Sequence, residues 1–120
     1  EVVTQQKGLD MTPEGKVKEA CKKFLRERKA FFFMPVSNGM GQVGIPDIII
    51  CYRGVFVAIE TKAPGKRNNV TDNQKRIMEN IRDADGFAWV VDDPADLGAL
   101  FNAIDAYLVL EPRNASLKQT

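Results

Sequence analysis

Three residues of this 120-residue chain could do chemistry together: Asp47 near the start of one apolar stretch, and Glu60 and Lys62 at the end of the next. In a β-strand, residues two apart share a face, so Glu60 and Lys62 project on the same side. Two carboxylates beside an ammonium could hold Mg²⁺ through oxygen and help to position or deprotonate an attacking water. The alternative is a surface salt bridge of Lys62, which is the more common meaning of such a triplet alone.

The sequence around the triplet predicts that its members converge. Ile45–Tyr52 and Val55–Thr61 are typical of strands, and Arg53-Gly54 between them is a short turn, which together predict an antiparallel hairpin. Pairing 52 with 55 sets Asp47 opposite Glu60, at about 4.5–5.5 Å between Cβ atoms. Carboxylates this close raise one another's pKa unless a cation lies between them, which gives a physical reason for a metal ion here.

The amino-acid composition narrows the chemistry further. The chain contains no histidine, which excludes histidine-based triads and histidine-containing zinc sites and leaves a hard ion bound by oxygen. Cys21 and Cys51 lie in apolar stretches, which favours two buried thiols in a reduced cytoplasmic protein; a disulfide is the alternative. No apolar stretch approaches the roughly 18–20 residues of a membrane span, and residues 1–10 show no secretory signal, so no membrane association is expected.

The remaining elements predict one domain with a core from about Thr12 to Leu108, between loose termini at 1–11 and 111–120. Their order is a helix over 12–29, strands over 31–36, 45–52 and 55–61, a helix from 71 to 86, a strand over 87–91 and a helix over 93–108. Both 31–36 and 87–91 are apolar enough to be buried strands. This αβββαβα order predicts an α/β sandwich around a central mixed sheet.

Two polar residues lie on the apolar edges of the predicted helices. Glu14 is three residues before Val17 and could give a metal a third oxygen; an acid favoured by the helix dipole is an equal alternative. Gln74 is three residues before Ile77 and could bind the attacking water, Lys62 or a phosphate. Its alternative role is the capping box predicted by Thr71-x-x-Gln74.

Charge is unevenly distributed although the formal net charge is only +1. Basic residues cluster in 16–29 and 53–76, whereas 83–111 contains seven acidic residues and no lysine or arginine. The asymmetry predicts one face suited to a polyanion, with ordinary solvated helix faces as the alternative. The loops before Pro46 and after Lys62 flank the carboxylates and suit a phosphodiester backbone. The candidate DNA contacts are Ser37, Asn38, Lys66, Arg67, Asn68 and Lys75.

Taken together, Gly44-Ile45-Pro46-Asp47, then Ile59-Glu60-Thr61-Lys62 and then Gln74 resemble the PD-(D/E)XK nuclease superfamily. Within it they most closely resemble the VRR-NUC (virus-type replication and repair nuclease) domains, over roughly residues 12–108. The resemblance implies a restriction-endonuclease-like α/β/α fold. It also implies that Mg²⁺ or Mn²⁺ is bound by Glu14, Asp47, Glu60 and the Thr61 backbone carbonyl, with Lys62 and Gln74 catalytic. Thr61 is a mild departure, because such domains often have an apolar residue there.

Stand-alone members this short resemble phage-encoded homodimers that cut branched DNA such as four-way junctions. The resemblance therefore implies a metal-dependent, structure-selective endonuclease of replication, recombination or repair, with no small-molecule cofactor. The last helix or Phe31–Met34 could form the dimer interface, although a segment of this kind taken alone more often belongs to the core. Two other hypotheses remain: a nucleic-acid-binding or assembly module that has lost cleavage, and a plain α/β domain with a chance triplet.

Overall fold

The computed structural model describes residues 12–36 and 43–112. The expectations for Ser37, Asn38 and the termini fall outside these ranges, apart from residues 111 and 112. The elements are α1 (Pro13–Glu27), β1 (Phe31–Phe33), β2 (Ile48–Tyr52), β3 (Val55–Thr61), α2 (Asp72–Asp83), β4 (Phe87–Val91), a 3₁₀ turn (Pro94–Asp96) and α3 (Leu97–Leu110). In the described part of the chain, no helix is long and apolar enough to cross a membrane.

The four strands form one mixed sheet in the order β1-β2-β3-β4. β1 and β2 are antiparallel, as are β2 and β3, while β3 and β4 are parallel. This topology confirms the predicted αβββαβα order. β3 and β4 are parallel because α2, which connects them, returns the chain to the end of the sheet where β3 begins.

Helices cover the two faces of the sheet unequally. On one face α1 and α3 pack through Val17, Cys21, Leu25, Phe101 and Ile104 against the alternate residues of β2 and β3, all of them buried. On the other face α2 packs through Met78 against the small residues Ala58 and Ala88. The result is an α/β/α sandwich in which the single helix α2 covers only part of its face.

Uncovered sheet surface explains why the expectation of a buried strand over 31–36 is wrong. β1 is an edge strand of three residues, with Phe31 68% and Phe33 49% exposed and Phe32 partly buried. Directly paired residues share a face, so Phe31, Cys51 and Phe56 form one row across the sheet beyond α2. Cys51 lies exposed in this row, so only Cys21 is the buried thiol that the sequence predicted, and both cysteines are free.

Three predicted element boundaries also move. β2 begins at Ile48 rather than at residue 45, because Pro46 has no N–H to give to a ladder. α2 ends at Asp83 and not at Gly86; Asp85 takes the left-handed conformation, with φ +68°, and the Gly86 amide donates to the Ile81 carbonyl. At the third boundary, Pro94–Asp96 forms a 3₁₀ turn before α3.

Gly44 brings the segment before Asp47 into close contact with the first turn of α2. Its φ is +94°, and a Cβ added to it would lie 2.6 Å from the backbone carbon of Asn73. A side chain is therefore opposed both by the backbone conformation and by the neighbouring backbone. This contact fixes the approach to Asp47 against the helix that carries Gln74.

We expect Gly44→Ala to lower the free energy of unfolding by about 2–3 kcal/mol, since it adds backbone strain and forces the two segments apart. Gly65→Ala is the matched control, because Gly65 also has a positive φ, +78°, but its added Cβ meets nothing within 4 Å. That control should lose only about 1 kcal/mol. Urea denaturation of both variants measures the difference; equal losses would show that the Asn73 contact contributes nothing.

Candidate active site

The β2–β3 hairpin has the predicted register. Its ladder runs from Tyr52↔Val55 at the turn to Ile48↔Ile59 at the open end. Arg53 and Gly54 have φ values of +52° and +81°, the pair of positive values that a tight, type I′ hairpin turn requires. Asp47 and Glu60 occupy the next pair of positions, where β2 has already stopped.

Asp47 is fixed by Thr61 through one of its two carboxylate oxygens. Oδ2 of Asp47 accepts a hydrogen bond of 3.0 Å from the Thr61 backbone N–H and one of 2.6 Å from the Thr61 hydroxyl. The side chain thus takes the place of a ladder acceptor at the end of β2. Oδ1 has a looser neighbour, the Lys18 ammonium at 4.0 Å. One oxygen of Asp47 is therefore committed to the fold, and the other is available.

Glu60 also has one carboxylate oxygen bound by the fold and one available. It is buried, with only 4% of its surface exposed. Oε2 of Glu60 accepts from Gln74 Nε2 at 3.0 Å and lies 3.6 Å from Lys62 Nζ. Oε1 is buried and has no hydrogen-bond partner. A buried carboxylate oxygen without a donor is unfavourable by itself, so this atom marks a place for a ligand of positive charge.

The electrostatic environment of Glu60 opposes its ionisation. Burial raises the pKa of Glu60 to about 7, with further increases from Asp47 and Glu14, against the lowering effect of Lys62. These contributions show that all three acids share one region. Glu14 lies in the first turn of α1 and is partly exposed, as expected for a residue at the rim.

Gln74 combines the two roles that the sequence left open. Its backbone N–H and its side-chain oxygen complete the capping box with Thr71, and the same Oε1 accepts from Lys62 Nζ at 3.2 Å. Its Nε2 donates to Glu60. Lys62 is also held through its backbone N–H, which donates to the Val91 carbonyl at 3.0 Å. Its ammonium is therefore positioned from both the strand and the helix.

Cys21 lies beside this region but is not a candidate nucleophile. It is fully buried in α1. Burial, with a smaller contribution from the Asp47 carboxylate, raises the pKa of its thiol to about 12. The protonated thiol is a poor nucleophile at neutral pH.

The basic loop after Lys62 is anchored by acids near the end of β4. Asp92 accepts from the Gly65 N–H and from Arg67, whose guanidinium also binds Asp96 at 2.8 Å. The Arg67 guanidinium lowers the pKa of Asp92. The other predicted DNA contacts in the described residues, Lys66, Asn68 and Lys75, are exposed. Asp92 and Asp96 already use much of the donor capacity of Arg67. Its contact with DNA stays a prediction.

The donor set fits a hard divalent cation. At the centre of the site, Asp47 Oδ1 and Glu60 Oε1 are carboxylate oxygens that strong protein donors leave free. Over residues 12–36 and 43–112, no three histidine, cysteine or acidic side chains form a ready cluster for a metal. Mg²⁺ suits such a site, because it is often held by one or two carboxylates and keeps several waters. Glu14 and the Thr61 carbonyl stay predicted ligands.

The fold itself has a solved counterpart. A structure described as a VRR-NUC domain is similar to this chain with a TM-score of 0.63 and 25% sequence identity, over 76% of this chain and 96% of the other. The chain has a VRR-NUC fold. This nuclease-type, restriction-endonuclease-like architecture is the one that the sequence predicted. No protein-family model matches this chain, and no curated protein matches it.

Sequence reasoning missed three contributors to the site. The Thr61 side chain holds Asp47, Lys18 approaches Asp47, and Asp92 anchors the basic loop. Lys18 could have been found, because it lies four residues after Glu14 and so on the same helix face. The threonine hydroxyl had only an indirect signal: Pro46 lacks an N–H for the ladder and so delays the start of β2 until after Asp47.

The raised pKa of Glu60 predicts a pH dependence of stability in the metal-free protein. Between the ordinary value of 4.5 and about 7, folded Glu60 binds more protons than unfolded Glu60. Its contribution to stability is therefore fully present below pH 4.5 and is lost as the pH rises through 7. The full loss is of the order of 3 kcal/mol.

Glu60→Gln removes this titration while keeping the shape of the side chain. We expect the unfolding free energy of the variant, relative to the natural chain, to rise between pH 5 and pH 8 in chelator. Glu79→Gln, at an exposed position of α2, should leave the pH profile unchanged. Parallel profiles for the natural chain and Glu60→Gln would show that the pKa of Glu60 is ordinary.

Proposed function

We propose that this protein is a Mg²⁺- or Mn²⁺-dependent DNA endonuclease that hydrolyses phosphodiester bonds of branched duplexes. The observation that carries the proposal is the pair of uncommitted oxygens, Asp47 Oδ1 and Glu60 Oε1, beside the positioned ammonium of Lys62. The VRR-NUC fold supports it independently. Fold alone would not be sufficient, since one fold can host many functions.

Each residue of the site has a distinct role in this proposal. A bound divalent cation would polarise the scissile phosphate and favour ionisation of the attacking water. Lys62 Nζ positions that water and stabilises the negative charge that develops on the phosphate oxygens. Gln74 and Glu60 hold the ammonium in place, and Thr61 keeps Asp47 turned toward the site.

The DNA backbone is proposed to follow the exposed basic residues beside the carboxylates. Lys66 and Asn68 extend from the loop after Lys62, and Lys75 from the first turn of α2. Phosphate contacts from such residues supply affinity without reading sequence, which suits an enzyme that selects structure. Ser37 and Asn38, which lie outside the described residues, are also proposed to contact DNA. The cytoplasmic location expected from the sequence stays a prediction.

A homodimer is part of the proposal, and the uncovered face of the sheet supports it. Phe31, Phe33 and Phe56 are 68%, 49% and 46% exposed on that face. Beside them a cavity of about 810 Å³ is lined by apolar residues that include Ile45, Ile81 and Tyr107. Projecting rings and a cavity on one face allow two copies to pack isologously. Two active sites related by a two-fold axis would match a four-way junction.

The cleavage assay uses labelled junction, flap and linear duplex DNA with Mg²⁺ or Mn²⁺. We expect the natural chain to cut branched DNA and to lose all cutting in chelator. Asp47→Asn and Lys62→Met should each lower the rate by about 10³-fold or more, because each removes a group that acts on the reacting phosphate.

Two matched controls isolate the site from general charge effects. Asp83→Asn, at an exposed position at the end of α2, and Lys23→Met, at an exposed position of α1, should each change the rate by less than about tenfold. Binding of branched DNA with no cutting under either metal would contradict the proposal and favour a binding module that has lost cleavage.

For the dimer, sedimentation velocity at micromolar concentration should show a species of twice the chain mass. Phe31→Glu should convert it to monomer, because it places a charge in the apolar row across the sheet. Val109→Glu is the control, since Val109 is also apolar and is 77% exposed, but lies on α3. A monomer for the natural chain would exclude the proposed interface.

A further inference from the structure

Lys18 is a second lysine at the site. It lies on α1, four residues after Glu14, and its Nζ is 4.0 Å from Asp47 Oδ1. Its neighbours on the helix, Val17 and Cys21, are buried and fix this side of α1 against the sheet. Core packing therefore sets the backbone position from which Lys18 reaches Asp47.

The pair between Lys18 and Asp47 is loose in comparison with the other contacts of the site. Its 4.0 Å separation is the longest of the described ion pairs, and the two side chains are 28% and 25% exposed. Lys62, in contrast, is 13% exposed and is also hydrogen-bonded by Gln74. Ion pairs this exposed stabilise a fold by only about 0–1 kcal/mol, so a stabilising role does not by itself explain the position of Lys18.

The oxygen that Lys18 approaches is also the one that Asp47 has available for a metal ion. Thr61 occupies Oδ2, so a cation bound by Asp47 must use Oδ1. An ammonium and a divalent cation on the same oxygen repel each other. Lys18 would then leave Asp47, and its flexible four-carbon stem allows it to reach another anion nearby.

The charges of the site indicate which anion that is. When ionised, Glu14, Asp47 and Glu60 carry three negative charges, and Lys18 and Lys62 carry two positive charges. With all three acids ionised, the site is negative by one charge without metal, and it is neutral when Glu60 is protonated. A divalent ion makes the ionised site positive by one charge. Only the metal-bound state attracts a phosphodiester, which brings one negative charge.

We infer that Lys18 is a phosphate-binding residue that rests beside Asp47 Oδ1 in the metal-free protein and transfers to a phosphate of bound DNA when a divalent cation takes that oxygen. The inference rests on the proposed nuclease function and deepens it, because it makes tight DNA binding at the site conditional on the metal. Lys18 acts by charge and needs no proton transfer.

The test measures equilibrium binding of a fluorescent branched duplex in Ca²⁺, an oxygen-bound ion, and in chelator, with the DNA checked for integrity afterwards. We expect Lys18→Met to weaken binding about 5–10-fold in Ca²⁺ and to reduce the salt dependence by about one phosphate contact. In chelator the same variant should bind as the natural chain does. Lys18→Arg, which keeps the charge, should retain most of the affinity in Ca²⁺.

Lys22→Met is the matched control for this experiment. Lys22 lies one turn further along α1, is 23% exposed and pairs with Glu19 at 3.0 Å. The change in net charge is the same, but Lys22 makes no contact with Asp47 in the described structure. We expect Lys22→Met to have little effect under either condition, and thermal melting to show that both variants are folded.

A second measurement uses Mn²⁺ alone, without DNA. Since Lys18 competes for Asp47 Oδ1, Lys18→Met should bind Mn²⁺ more tightly than the natural chain by about threefold or more. A purely structural role for Lys18 would give equal or weaker binding of Mn²⁺.

The possible outcomes separate the inference from the proposed function. If the natural chain cuts DNA while Lys18→Met binds it unchanged in Ca²⁺, the inference is overturned and the function stands. Equal losses for Lys18→Met and Lys22→Met, or equal losses in Ca²⁺ and chelator, also overturn it, since they indicate diffuse attraction. A natural chain that neither binds nor cuts DNA overturns both.

Discussion

The register of the β2–β3 hairpin is the constraint on which the candidate site depends. A slip of one residue would turn Asp47 or Glu60 to the opposite face of the sheet and bring an isoleucine to the site. The two-residue turn at Arg53-Gly54 and the alternate burial of β2 both prevent such a slip. The apolar core along the hairpin and the acidic site at its open end are therefore specified by the same pairing.

The site also shows how donors from the fold itself can hold two carboxylates close together. Each acid gives one oxygen to donors from the fold: Thr61 for Asp47, and Gln74 with Lys62 for Glu60. These donors reduce the repulsion and fix each side chain, while the remaining oxygens keep their capacity for a ligand. The raised pKa of Glu60 reflects the burial and the carboxylate repulsion that these donors do not offset.

Much of the fold and the centre of the site could be predicted from local patterns. Turn chemistry predicted the hairpin, and the spacing of Thr71 and Gln74 predicted the capping box. The predictions that were wrong concern which surfaces the helices cover. Phe31 and Phe33 have the composition of a buried strand, but they lie on the edge strand β1, whereas α2 packs on β3 and β4. Thr61 likewise holds Asp47 because the β2 ladder begins only at Ile48. Pro46 signals this late start, but the partner of the Asp47 carboxylate depends on the folded hairpin.

Gln74 has a dynamic consequence, because one amide both closes the first turn of α2 and holds the groups at the centre of the site. Helix ends open more readily than helix centres, and local opening does not require the rest of the domain to unfold. Fraying of this single turn would release Lys62 and Glu60 together. The proposed cleavage would then decline with temperature before global melting, so the local stability of one helix end would set its working range.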